Sequence, residues 1–107
     1  MPKYLAQATY TVEGMQGLLK YGGTKRREAV EELAESLGGK VETFYYALGD
    51  SDVFVIFDLP DKVSVTTASM VVNASGASRV KITVLLTPEE VDEATKKTVT
   101  YYPPQQE

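Results

Sequence analysis

The chain contains no cysteine and no histidine. Without cysteine there is no disulfide, no thiolate nucleophile, and no zinc-finger or iron–sulfur ligation. Without histidine the chain also loses the imidazole metal ligand, the proximal ligand of haem and the side chain that titrates nearest neutral pH. Any acid–base chemistry therefore falls to Asp, Glu, Lys or Tyr, and neither a metal nor a cofactor is expected. A net positive charge is absent as well: 11 Lys and Arg stand against 15 Asp and Glu, leaving −4 at pH 7 and a pI near 4.8. Nucleic-acid binders draw most of their non-specific affinity from cations that neutralise phosphates, so nucleic acid is not an expected partner. No apolar run approaches the roughly 20 residues of a membrane span, and Met1-Pro2-Lys3-Tyr4 does not open like a secretory leader. The expectation is a cytoplasmic protein without a membrane partner.

What is present is an ordinary globular composition over 107 residues, 43% hydrophobic and 24% charged, which suits one domain around one core. Residues 3–12 alternate, with Tyr4, Ala6, Ala8, Tyr10 and Val12 on one side, and read as a strand. Residues 13–21 have Met15, Leu18 and Leu19 at helical spacing, but Gly14, Gly17 and Gly22-Gly23 reduce this to a short helical turn and a break. A firmer helix over 24–37, N-capped by Thr24, carries Val30, Leu33, Ala34 and Leu37 on one stripe and closes on Gly38-Gly39. Two strands at 41–48 and 53–57 flank the turn residues Gly49-Asp50-Ser51-Asp52. A second helix follows Asp61 as N-cap and ends at Ser75-Gly76, and a fourth strand covers 80–86. Thr87-Pro88-Glu89-Glu90 spells a capping box for a third helix. One domain over 1–97 and a Tyr/Pro tail over 98–107 complete the reading.

Strand, helix, strand, turn, strand, helix, strand is the split βαβ, ferredoxin-like order. It predicts an α+β fold: a four-stranded antiparallel sheet with helices on one face. Val53-Phe54-Val55-Ile56-Phe57 is apolar at every position, so this strand is central and the second face of the sheet needs a cover. A second copy packed sheet against sheet meets that need and predicts a homodimer or a higher oligomer, a dimeric α+β barrel. The other available cover is the chain's own tail, through Val99, Tyr101 and Tyr102.

Several segments together resemble the GYD domain family. They are Tyr4-Leu5-Ala6, the break before an Arg-rich helix, Leu37-Gly38-Gly39, Phe44-Tyr45-Tyr46-Ala47-Leu48-Gly49, Asp52-Val53 and Leu86-Thr87-Pro88-Glu89-Glu90. The resemblance covers residues 3–97 and implies a dimeric α+β barrel; the family is functionally uncharacterised, so no activity comes with it. At the hairpin, where the family carries glycine, tyrosine and aspartate, this chain has Gly49-Asp50-Ser51-Asp52, with Ser51 in the tyrosine place.

Three groups of residues are candidates for chemistry. Gly49, Asp50 and Asp52 bring two carboxylates to a hairpin, although Gly, Asp and Ser are also what such a turn needs. Lys25, Arg26 and Arg27 crowd a helix start, where cations oppose the macrodipole; a bound anion would relieve this, and so would solvation or pairing with Glu28 or Glu31. Tyr45 and Tyr46 fall on opposite faces of a strand, so only one can face a cavity, with Gln7, Thr9, Thr11 and Thr83 as further polar candidates. Three functions remain open: a non-catalytic homo-oligomeric module binding a small anionic or aromatic ligand in the space between helices and sheet; a cofactor-independent enzyme of monooxygenase or isomerase type, with Asp52 or a tyrosine as acid or base; and protein interaction through the tail.

Overall fold

In a computed structural model, which describes residues 1–104, strand β1 (Lys3–Tyr10) is followed by helices α1 (Val12–Tyr21) and α2 (Gly23–Ser36). The hairpin β2 (Lys40–Tyr46) and β3 (Val53–Asp58), helix α3 (Lys62–Ala74), strand β4 (Ser78–Leu85) and helix α4 (Pro88–Thr95) complete the order. The strands form one antiparallel sheet in the order β2-β3-β1-β4, which puts the all-apolar β3 inside it. This is the expected ferredoxin-like α+β fold. Of the tail expected at 98–107, residues 105–107 lie outside the described residues. Among the described residues no helix is long and apolar enough to cross a membrane.

Local chemistry explains where the elements begin. Thr11 caps α1 by accepting from the Gly14 N–H at 3.2 Å, so the expected turn grows into a full helix despite its glycines. Thr24 does not cap α2. Gly22, at φ 87°, closes α1 through its N–H to the Leu18 carbonyl and serves at once as the N-cap of α2, a double role that needs the left-handed backbone glycine adopts without steric penalty. Asp61 caps α3 by accepting from the Ser64 N–H at 2.9 Å, and both halves of the capping box form between Thr87 and Glu90.

Strand alternation sorts the sheet into two faces. Tyr4, Ala6, Val53, Val55 and Phe57 face the helices and form the core with Ala34 of α2 and Val65 of α3. Leu5, Gln7, Phe54, Ile56, Tyr45 and Thr83 occupy the opposite face, as their register shows. The described part of the tail does not cover that face: Val99, Tyr101 and Tyr102 stand 80%, 71% and 73% exposed. Every residue from Leu86 to Tyr102 is exposed, and the molecule measures 59 Å along one axis against 31 and 23 Å along the others. Helix α4 and the described residues after it up to Tyr102 thus stand free of the sheet.

An irregularity in β2 between Val41 and Thr43 brings Glu42 to Lys3, whose ammonium donates to Glu42 Oε1 at 3.0 Å and to Asp58 Oδ1 at 2.8 Å. Three strands are tied at one end of the sheet. The Lys3 hydrogen bond holds the nearly buried Asp58 below the usual carboxylate range, and Asp58, then Glu42, raises the Lys3 ammonium. The backbone hydrogen bond from Ser64 lowers Asp61 in the same way. Stability from the two depressed carboxylates is present above pH ~4 and is lost as pH falls through their folded values; that from Lys3 is present below pH ~10.4 and is lost as pH rises through its raised value. Melting temperature should fall at both extremes. Asp58→Asn should lower the neutral-pH melting temperature and shrink its further fall in acid; an acid limb as steep as that of the wild type would show that Asp58 is not its source.

Candidate ligand-binding cleft

Helix α2 packs over β2 and α3 over β4, and the strands between them are β3 and β1, the latter with the small Ala6 and Ala8 among its inward positions. Two helices spread to the margins of a sheet leave a gap unless large side chains fill it. Here they do not. About 60 Å³ stays unfilled between Val30 and Leu33 of α2, Val72 of α3, and a floor made by Ala6, Ala8, Val55 and Ile82. Ser69 and Ser78 add hydroxyls to an otherwise apolar lining.

Arg26 and Tyr10 line this cleft as well, and Arg26 also borders the outer groove between α2 and Val71 of α3. Arg26 is half-buried, and among the described residues no carboxylate pairs with it. Beside it, the Tyr46 hydroxyl donates to the Gly23 carbonyl at 2.8 Å, and its ring meets Phe44 edge-on with centroids 5.2 Å apart. Burial, and then the adjacent Tyr10 phenol, pushes the Tyr46 hydroxyl up to about 12 against the opposing charges of Arg26 and Arg27. A phenol with that value does not accept a proton near neutral pH.

Two of the three candidate groups, the cationic helix start and the Tyr45–Tyr46 pair, meet at one surface pocket. In the cationic helix start Arg26 turns inward, whereas Lys25 and Arg27 are exposed and Arg27 lines a surface pocket with Tyr45, Tyr46 and Gly23. Tyr46 is on the helix side and Tyr45 is 69% exposed on the open face. Gly49 and Asp50 sit exposed in the hairpin loop, where the Asp50 carbonyl accepts from Thr9 Oγ1 at 3.3 Å. Asp52 is bound into the backbone: its Oδ2 accepts from the Tyr10 N–H at 2.9 Å, and its own N–H donates to the Ala8 carbonyl at 2.8 Å. Thr11 is the α1 cap, and Gln7, Thr9 and Thr83 belong to the open face. The sequence placed a ligand between the helices and the sheet but did not reveal which residues leave the space open. The signal was the small pair Ala6 and Ala8 at core positions of a strand facing two helices.

Across the chain, the family model of the GYD domain matches residues 4–95, from β1 through the last residue of α4. The chain belongs to the GYD domain family. Comparisons with curated proteins and with solved structures return no match. In this GYD domain the matched region holds every residue of the cleft and ends before the tail.

Proposed function

We propose that this GYD domain is a homo-oligomeric binding module that takes a small ligand with an apolar body and an anionic end into the cleft between α2 and α3. The observation that supports this reading is an alanine-floored, unfilled apolar space with a half-buried, unpaired guanidinium at its edge. Empty apolar lining forfeits dispersion contacts, and a partly desolvated cation without a partner is unfavourable. A short carboxylate answers both: its alkyl group fills the space and its oxygens accept from Arg26 in the bidentate geometry that guanidinium favours. Size narrows the class. A cavity that admits benzene measures ~150 Å³, so about 60 Å³ suits a few carbon atoms, and an aromatic ring would need α2 and α3 to part.

The enzyme reading needs an acid–base group in the same place. Among the described residues no carboxylate and no lysine lines the cleft, Tyr46 holds its proton, and Asp52 is engaged with the Tyr10 N–H. Binding without chemistry therefore fits the lining better. Two copies joining through the apolar open faces of their sheets remain our reading of the oligomer.

Titration of the ¹⁵N-labelled protein with isobutyrate should shift the amides of Ala6, Ala8 and Val30. Arg26→Met should weaken that binding about tenfold or more, the loss expected for a charge-assisted hydrogen bond. Ala8→Val should abolish it by filling the floor. If no shift localises to the cleft at ~10 mM, where a millimolar site would be nearly saturated, the reading is wrong.

A further inference from the structure

The segment from Leu86 to Tyr102 contradicts the economy of the rest of the fold. None of it is buried, yet it displays Leu86 at 65%, Val91 at 47%, Val99 at 80%, Tyr101 at 71% and Tyr102 at 73% exposure. Helix α4 spans 8 residues. A helix shorter than ~12 residues is marginal in water without tertiary packing, even when well capped. Capping fixes where α4 begins; it does not supply the apolar contact that would hold it.

The same chain carries a second unsatisfied surface, the open face of the sheet, with Leu5, Phe54 and Ile56 at its centre and Tyr45 projecting from it. Arg79 and Lys81 of β4 rim that face; both are exposed and, among the described residues, neither pairs with a carboxylate. Helix α4 presents Glu89, Asp92 and Glu93 and has no basic residue in its last turn. Lys96 and Lys97 follow α4, so the acidic part of the arm is the helix itself, and an acidic helix with an apolar residue and a cation-rimmed apolar face are complementary. They do not meet within one chain, because the arm is exposed along its whole length.

We propose that Leu86–Tyr102 is an exchange arm: in the dimer each copy lays its α4 and the following residues against the partner, along the Arg79–Lys81 margin of the paired sheet faces. This rests on the two-copy reading given above and adds a specific occupant for that margin. A two-fold axis makes the contact reciprocal, so both arms and both margins are covered at once. The arm stabilises the pair without taking part in the fold of its own copy. Substitutions in it should therefore alter association and leave the unfolding of the single body unchanged.

A benzophenone side chain replacing Val91 tests the arm directly in the full chain. Unlabelled and ¹⁵N-labelled protein are unfolded together, refolded as a mixture and irradiated, and cross-linked peptides are read by mass spectrometry. The proposal expects cross-links that join labelled to unlabelled chains and map to β4 near Arg79 and Lys81. Cross-links confined within one chain, or none, would overturn it. Light scattering of the same sample keeps the two ideas apart: a dimer whose cross-links are all intrachain removes the arm alone, and a monomer removes the dimer too. As a second measure, Val91→Asp and the pair Tyr101→Ser with Tyr102→Ser should each raise the dimer dissociation constant about tenfold or more with unchanged far-ultraviolet circular dichroism. An unaltered constant in both would also overturn the proposal.

Discussion

Leu59→Ala should lower the free energy of unfolding by about 2–5 kcal/mol, a large part of the ~5–15 kcal/mol that holds a domain of this kind. Leu59 is 1% exposed and is the largest side chain enclosed to that degree. It follows β3 directly, its N–H donates to the Pro2 carbonyl at 3.1 Å, and one of its δ-carbons lies against Gly39. The backbone around it is thus held from two sides and cannot collapse far into the space left by truncation, which is the condition under which a cavity costs most. Ala6, Ala34 and Ala68 are among the other buried core residues, and alanines have no longer side chain to swing into a void. Urea denaturation monitored by circular dichroism measures the change. A loss below ~1 kcal/mol would mean that the site repacks freely.

A comparable loss is expected from adding one carbon at Gly39. A Cβ built there would lie 2.0 Å from the Asp58 carbonyl oxygen and 2.8 Å from Leu59 Cδ2. The carbonyl belongs to the β2–β3 ladder, in which Lys40 pairs with Asp58, and the Gly39 N–H donates to the Ala34 carbonyl at 2.9 Å, closing α2. Neither backbone can yield without disturbing a strand pair or a helix end. Gly39→Ala should therefore cost about 1–3 kcal/mol or more, and it should also loosen the Lys3–Asp58 pair beside it, flattening the acid limb of the stability profile. Gly49→Ala is the matched control: nothing lies within 4 Å of a Cβ built there, and its effect should stay within ~0.5 kcal/mol. Equal melting temperatures for the two variants would refute the argument from close approach.

These expectations show where sequence and structure part company. The Thr87–Glu90 box, the Asp61 cap and the central place of Val53–Phe57 were legible because each depends on neighbours in sequence or on a single strand's pattern. Thr24 misled because threonine is a good cap in isolation; the backbone of Gly22, committed to closing α1, had already taken that place. Tyr45 and Tyr46 were correctly assigned to opposite faces by the two-residue period of a strand. Which residues leave a cavity open was not legible, since that depends on how far apart α2 and α3 lie.

The cleft and the arm mark the same boundary. Alternation, caps and turn residues act over a few positions, so the amino-acid order alone determined an α+β chain with an antiparallel sheet, an apolar second face and no histidine or cysteine for chemistry. Placing Arg26 at the edge of an unfilled space required α2 and the Ala6–Ala8 strand to be brought together from distant parts of the chain. Binding the Asp52 carboxylate to the Tyr10 N–H required the β3–β1 pairing, which brings residues 42 positions apart within 2.9 Å. The exposure of Leu86–Tyr102 along its whole length likewise shows only once the body beside it is assembled. Each of these is a matter of packing volume and long-range register, and only the assembled tertiary structure sets those.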